Sequence, residues 1–248
     1  MMTPYNPDEQ RLIFDDLINC RELGGMPGRD GSVFKNKIML RSGSPSLASG
    51  KACQMLKDYG VNTVIDLRSK AELEHYGNPF QDDPECAFYN IPLFVGDPDA
   101  KEDPTMNFLR THTMGDFYVM MLEELGSAIC DVMRVFVNRT EGVTLFHCAH
   151  GKDRTGVIAA LLYLLIGASK EDIVLNYKVS YDYARSLLNP LIEAREPEMR
   201  HTLRSDADNM VTMLAFMEKE YNLDSGLYLT KNGLSAEDLR ALRERIIQ

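Results

Sequence analysis

The sequence has no apolar run long enough to cross a bilayer. Its longest mostly apolar stretch, 157–168, falls well short of the roughly 20 residues that a membrane helix needs, so no integral membrane segment is expected. The first nine residues have neither the basic start nor the apolar core of a secretory signal; a cytoplasmic location is the expectation, with secretion left open. Cysteine is sparse. The five present (Cys20, Cys53, Cys86, Cys130, Cys148) are scattered and include no C-x-x-C pair, which excludes a zinc ribbon or a dithiol motif and suits a reducing compartment. Basic residues are outnumbered 27 to 37, for a net charge of -10. That balance argues against nucleic-acid binding, which rests on neutralising backbone phosphates. An anionic ligand would have to be captured by a local positive site.

What is present is the patterning of an α/β protein. With 248 residues, 44% hydrophobic and 26% charged, the chain suffices for one sizeable core, and a single domain over 1–248 is expected. Glycines at 24, 25, 28 and 31 punctuate turns before a strand-like segment at 37–41, and a helix capped by Ser46 or Ser49 runs to Tyr59. β-branched and apolar runs predict strands over 61–67, 87–91 and 143–146. Apolar spacing predicts helices around 117–125, over 127–138 and over 154–166, the last closed by Gly167. Ser169 with Asp172 starts another helix. Helical segments fill most of the remainder, with edges expected at Pro190, Pro197, 204–208 and Ser235. Strands alternating with helices imply a layered, mostly parallel sheet.

The chemistry concentrates between the strand over 143–146 and the helix that follows. His147-Cys148-Ala149-His150-Gly151-Lys152-Asp153-Arg154-Thr155-Gly156 places five residues between a thiol and a guanidinium. Backbone amides in so tight a turn can converge on one anion, and the helix N-terminus adds a favourable dipole. The same field, with Lys152, Arg154 and His147 as the cations in reach, favours a thiolate, making Cys148 the candidate nucleophile. Arg154 has the planar fork that grips two phosphoryl oxygens, and Thr155 supplies a hydroxyl beside the sulfur. A leaving group needs a proton from a carboxylic acid. The candidates rank Asp153 in the loop, then Asp66 at a neighbouring strand end, then Asp97 or Asp99 on an acidic loop. Asp66 and Arg68 fit either a buried ion pair or a substrate-orienting pair, and Arg41 is similar. His147 and His150 lack the further ligands of a zinc site, so no metal and no other cofactor is expected. A nucleotide-binding loop would need glycine at Phe146 and Ser or Thr at Asp153.

The His-Cys-x5-Arg-Thr-Gly run resembles the signature of the protein tyrosine phosphatase superfamily. With Asn19-Cys20-Arg21-Glu22-Leu23-Gly24-Gly25, Leu40-Arg41-Ser42, Ile65-Asp66-Leu67-Arg68-Ser69 and Gly-Lys-Asp-Arg-Thr-Gly, most of the chain is similar to the bacterial family of cysteine-dependent tyrosine phosphatases that includes the secreted mycobacterial phosphatase B and the Listeria lipid phosphatase. The resemblance implies a tyrosine phosphatase-like fold whose additional C-terminal helices, within about 170–225, form a lid or cap. It implies catalytic roles for Cys148, Asp153 and Arg154 and a functional role for Lys152, with Ala149, His150, Gly151, Thr155, His147 and Arg68 added as substrate-binding positions. The substrate would be a phosphorylated protein, with dual specificity open, or a phosphoinositide, since Lys152 adds charge for a multiply phosphorylated group. The reaction would pass through a phosphocysteine. Two alternatives remain at this stage: an inositol polyphosphate phosphatase, and a phosphate-binding module without turnover. A rhodanese fits less well, because its loop generally lacks the Arg-Thr-Gly exit.

Overall fold

The computed structural model describes residues 5–14, 16–94, 96–98, 100 and 102–248. Strands β1 (Arg21–Glu22), β2 (Met39–Ser42), β3 (Val61–Asp66), β4 (Ala87–Asn90) and β5 (Val143–His147) form one sheet in the order β1-β2-β5-β3-β4. All neighbours are parallel except the edge strand β1. The central strands β3 and β5 are buried along almost their whole length, which is why they read as near-continuous Val, Ile, Leu and Thr runs. Side chains alternate between two cores, as strand geometry requires. Met39, Ile65 and Phe146 face one hydrophobic cluster; Leu40, Val64 and Leu145 face the other.

Helices flank both faces. On one side α1 (Gly50–Tyr59) contributes Ala52 and Leu56 to the smaller core. On the other, α5 (Gly126–Asn138) and α6 (Arg154–Leu165) pack with the helices that follow. Every residue of α6 is buried, so this helix is hydrophobic all round and runs through the protein interior. The remaining helices are α2 (Lys70–Tyr76), α3 (Pro104–Leu109), α4 (Met114–Glu124), α7 (Lys170–Ala194), α8 (Ala207–Tyr221), α9 (Ser225–Lys231) and α10 (Ala236–Ile246). Among the described residues no helix is long and apolar enough to cross a membrane.

The strands and the main helices lie where the sequence places them, within a few residues. Pro190 is different: it does not end a helix but lies inside α7. The carbonyl it leaves without an amide belongs to Ser186, which is exposed and can bond water, so the interruption is tolerated. The short helices α2 and α3 were not anticipated. Register sets up the site: Ser42 pairs with His147, and Asp66 pairs with His147. The C-terminal ends of β2, β5 and β3 therefore finish level, at the edge where parallel sheets bind ligands.

Candidate active site

Residues 148–153 join the end of β5 to the start of α6. The turn requires glycine at 151, where φ is +66° and a Cβ would lie 2.2 Å from the Ser42 carbonyl oxygen. Successive carbonyls of the loop are held on its outer side. The Ser44 amide donates to the Ala149 carbonyl at 2.9 Å. Asn19 Nδ2 donates to the carbonyls of His150 at 3.0 Å and Gly151 at 2.9 Å. Arg41 Nη2 donates to Gly151 O at 2.9 Å and, more loosely, to Lys152 O at 3.5 Å. Among the described residues no intramolecular acceptor takes the amides from Ala149 to Arg154. A loop with its carbonyls pinned outward and its amides unspent, set on a helix N-terminus, is an anion cradle.

Two buried arginines stand behind it. Arg41 also donates to Asn176 Oδ1 at 2.9 Å. Arg21 grips Asn19 through its carbonyl and side-chain oxygens and donates to Asn176 O at 2.8 Å and Ser180 Oγ at 2.9 Å. Neither forms an ion pair with a carboxylate among the described residues. Burial, and then the Arg21 charge, push the Arg41 guanidinium below its ordinary value. This uncompensated positive charge is the local site that an acidic chain needs to hold an anion. It also resolves Arg41, which supports the loop backbone from beneath.

Arg154, on the first turn of α6, is held by Glu72. Its Nη1 and Nη2 donate to the two carboxylate oxygens at 2.6 and 3.0 Å, a bidentate pair that fixes the plane of the guanidinium. Its Cζ lies 5.7 Å from the centroid of the Phe94 ring. Burial alone would raise the Glu72 carboxyl, but the Arg154 charge and hydrogen bonds outweigh it and hold it low; Arg154 itself is raised. Glu72 gained no role from sequence patterning, although Ser69-Lys70-Ala71-Glu72 is a capping box. The Ser69 hydroxyl accepts from the Glu72 amide at 3.2 Å while Glu72 Oε2 accepts from the Ser69 amide at 2.9 Å. That signal locates α2 and, with it, the partner of Arg154.

Asp66 and Arg68, which the sequence leaves open between a buried ion pair and groups for catalysis and substrate contact, form the ion pair. Their side chains are 0% and 2% exposed. Arg68 Nε and Nη2 reach the Asp66 oxygens at 3.0 and 2.7 Å, and Arg68 also donates to Ser46 Oγ and Gly77 O. Desolvation would raise the Asp66 carboxyl, yet the hydrogen bonds and charge of Arg68, with the Asn78 hydrogen bond, hold it far below the usual range. Both Asp66 oxygens are enclosed and taken by Arg68 and Asn78, so no oxygen is left to face a leaving group and Asp66 acts as a structural ion pair. His147, expected among the cations, is neutral. Its Nδ1 donates to the Cys148 carbonyl at 3.1 Å, and its Nε2 accepts from Asn78 Nδ2 at 2.9 Å, a pairing that only the uncharged ring satisfies. Burial also lowers its pKa. It braces the strand end and touches no substrate position. His150 is half-buried and pushed down to about 4 by burial and then by Lys152, so it too is uncharged at neutral pH.

Lys152 departs most from expectation. Its side chain is 0% exposed, and its ammonium donates to Asp153 Oδ1 at 2.6 Å, Thr202 O at 3.1 Å and Arg204 O at 2.8 Å. All three protons are spent, leaving none for a second phosphate. Asp153 Oδ1 also accepts from Tyr118 Oη at 2.5 Å. Thr155 Oγ1 is buried without a partner, a free hydroxyl at the first turn of α6. Cys148 is itself buried, at the base of the loop, and Ala149 lines it through its backbone. Beside α2 runs a groove of about 560 Å³ lined by Ala71, Glu72, Glu74, His75, Tyr76 and Asp97; Asp99 lies outside the described residues. The 170–225 segment brings Asn176, Tyr177, Ser180, Thr202, Arg204 and Asn209 to the back of the loop.

Over 216 residues the chain is 29% identical to a provisionally named tyrosine-protein phosphatase of Cupriavidus necator, covering 78% of each chain. Over 200 residues it is 28% identical to a tyrosine-protein phosphatase of Nostoc commune, covering 76% of this chain and 67% of that one. A crystal structure of P. aeruginosa TpbA in complex with pTyr aligns loosely, with a TM-score of 0.40 and 16% identity over 80% of this chain and 87% of that one. The family model described as tyrosine phosphatase family matches residues 12–248, and with it the chain belongs to the tyrosine phosphatase family.

Proposed function

We propose that the protein hydrolyses phosphotyrosine in protein substrates through a phosphocysteine intermediate, in preference to multiply phosphorylated lipids. The observation that carries this reading is the loop itself: pinned carbonyls, unspent amides, Cys148 at the base and Arg154 at the rim in a fixed plane. In the first step Cys148 Sγ attacks phosphorus in line with the ester oxygen, the P–O bond breaks, and Asp153 gives its proton to the departing phenolate. Loop amides and Arg154 hold the equatorial oxygens as charge redistributes. In the second step water attacks the phosphocysteine, the S–P bond breaks, and Asp153 takes the water proton. Thr155 Oγ1 can donate to the departing thiolate.

The preference for a single phosphate is supported by two features. Lys152 has no proton left for a second phosphate. The groove beside α2 carries the exposed Glu74, which repels further phosphate charge. The test is phosphate release, with EDTA present, from phosphotyrosine peptides, phosphoserine peptides, phosphoinositides and inositol phosphates, for the intact protein and Cys148→Ser. The expected result is highest kcat/KM on phosphotyrosine and no turnover by the variant. Phosphotyrosine binding without release by the intact protein would identify a binding module instead, and a lipid-first ranking would overturn the substrate assignment.

A further inference from the structure

Asp153 occupies the N-cap position of α6, yet its side chain makes no capping hydrogen bond. Its backbone is already helical there, with φ -82° and ψ -79°, and not the extended conformation from which an N-cap side chain folds back onto its own helix. The side chain is held instead by partners outside α6. Asp153 Oδ1 accepts from Lys152 Nζ at 2.6 Å and from Tyr118 Oη at 2.5 Å. Tyr118 Oη lies 2.7 Å from Tyr177 Oη, and Asn209 Nδ2 reaches Tyr177 Oη at 3.4 Å. The two rings meet edge to face, with centroids 5.9 Å apart, and both are buried.

The ends of this chain fix its polarity. An amide nitrogen can only donate, so Tyr177 Oη accepts from Asn209 and passes its own proton to Tyr118. A carboxyl oxygen facing an ammonium and a phenol can only accept, so Tyr118 donates to Asp153 Oδ1. Oδ1 is thereby saturated, and Oδ2 is the oxygen left to carry the transferable proton. The Asp153 side chain keeps 16% of its surface exposed, so it is not sealed from solvent. Burial raises both phenols well above their ordinary values, so both remain protonated donors throughout the working range.

We infer that Tyr118, Tyr177 and Asn209 are positioning residues, a directional hydrogen-bond chain from α8 through α7 and α4 that holds Asp153 by Oδ1 and leaves Oδ2 for the leaving group. The inference rests on the assignment of Asp153 as the proton donor. It also gives the C-terminal helices a task in catalysis: they back the acid.

The test uses the dependence of rate on leaving group. p-Nitrophenolate departs with little help, whereas phenolate needs a proton. Single-turnover rates of the first step are measured for phenyl phosphate and p-nitrophenyl phosphate with the intact protein, Asp153→Asn, Tyr118→Phe and Tyr177→Phe. Asp153→Asn sets the benchmark: a loss within the ~10²–10⁴-fold range of general acid catalysis on phenyl phosphate, and a much smaller one on p-nitrophenyl phosphate. Tyr118→Phe keeps the ring and is expected to fall to roughly a tenth to a hundredth of the intact rate on phenyl phosphate, again with little change on p-nitrophenyl phosphate; Tyr177→Phe follows in the same direction with a smaller loss. Equal losses on both substrates for the tyrosine variants, or none, would overturn the inference while leaving Asp153 as the acid. A flat leaving-group response for Asp153→Asn itself would overturn the acid assignment and the inference with it. Should Tyr118→Phe fail to fold, Tyr177→Phe carries the same comparison.

Discussion

Replacing Glu72 by alanine strips Arg154 of both its carboxylate contacts. Removing one side of a buried ion pair costs about 3–5 kcal/mol. Here the partners keep 10% and 4% of their side-chain surface exposed, and Arg154 can turn toward solvent, so about 2 kcal/mol is the better figure. For a chain of this length that corresponds to a fall in Tm of about 4–8 °C. Catalysis should suffer separately. The two charge-assisted hydrogen bonds set the plane in which the guanidinium meets phosphate; losing that orientation, at about 1.5–3 kcal/mol, lowers kcat/KM roughly 10- to 100-fold. Glu72→Gln keeps the shape and one acceptor without the charge, and should fall between. Thermal unfolding and phosphotyrosine-peptide kinetics are measured on all three proteins, with and without inorganic phosphate. Phosphate should raise the Tm of Glu72→Ala more than that of the intact protein, because it restores a partner for Arg154. If Glu72→Ala unfolds at the same temperature and keeps its kcat/KM within about twofold, a difference under 0.5 kcal/mol, the carboxylate does not position Arg154.

Two further substitutions probe the buried charges. Lys152→Met leaves the Thr202 and Arg204 carbonyls without their donor, which should cost about 1–3 kcal/mol for each that stays buried, yet it should leave the ratio of KM for inositol polyphosphate to KM for phosphotyrosine peptide unchanged; a selective rise for the polyphosphate would restore Lys152 as a substrate ligand. Asp66 and Glu72 have native pKa values held below those of the unfolded chain, so their stabilisation is complete above the usual carboxylate range and is lost as pH falls through the native values. Urea unfolding from pH 7 down to pH 3 should therefore show stability dropping below about pH 4, and less steeply in Asp66→Asn, which begins lower because Arg68 loses its counter-charge; parallel acid slopes for the two proteins would refute the assignment.

The parts legible in the sequence are those set by neighbours along the chain. β-branched runs marked β3 and β5, and the glycine after 166 marked the end of α6, because period and turn chemistry are local. The Cys148-to-Arg154 spacing announced an anion loop on a helix N-terminus, since seven consecutive residues carry it. The helix α2 was not anticipated although Ser69 and Glu72 spell its capping box in the same local language, and nothing local names the arginine that Glu72 meets. Charges were less legible. Lys152 and His147 read as cations for substrate and Asp66 as either half of an ion pair or a catalytic group, and the structure places them against Thr202, Arg204, Asn78 and Arg68.

The sequence by itself determined that a tight loop would join a buried strand to a helix N-terminus, and which thiol would begin it. Only the tertiary structure decided which charges face the cradle and which hold it up. The reason is physical: a charged side chain's role depends on burial and on partners from distant elements, and desolvation forces each enclosed charge to find such a partner or surrender its proton. Asn19, Arg41, Glu72, Tyr118 and Thr202 are separated along the chain and meet only where the sheet ends and the last helices pack.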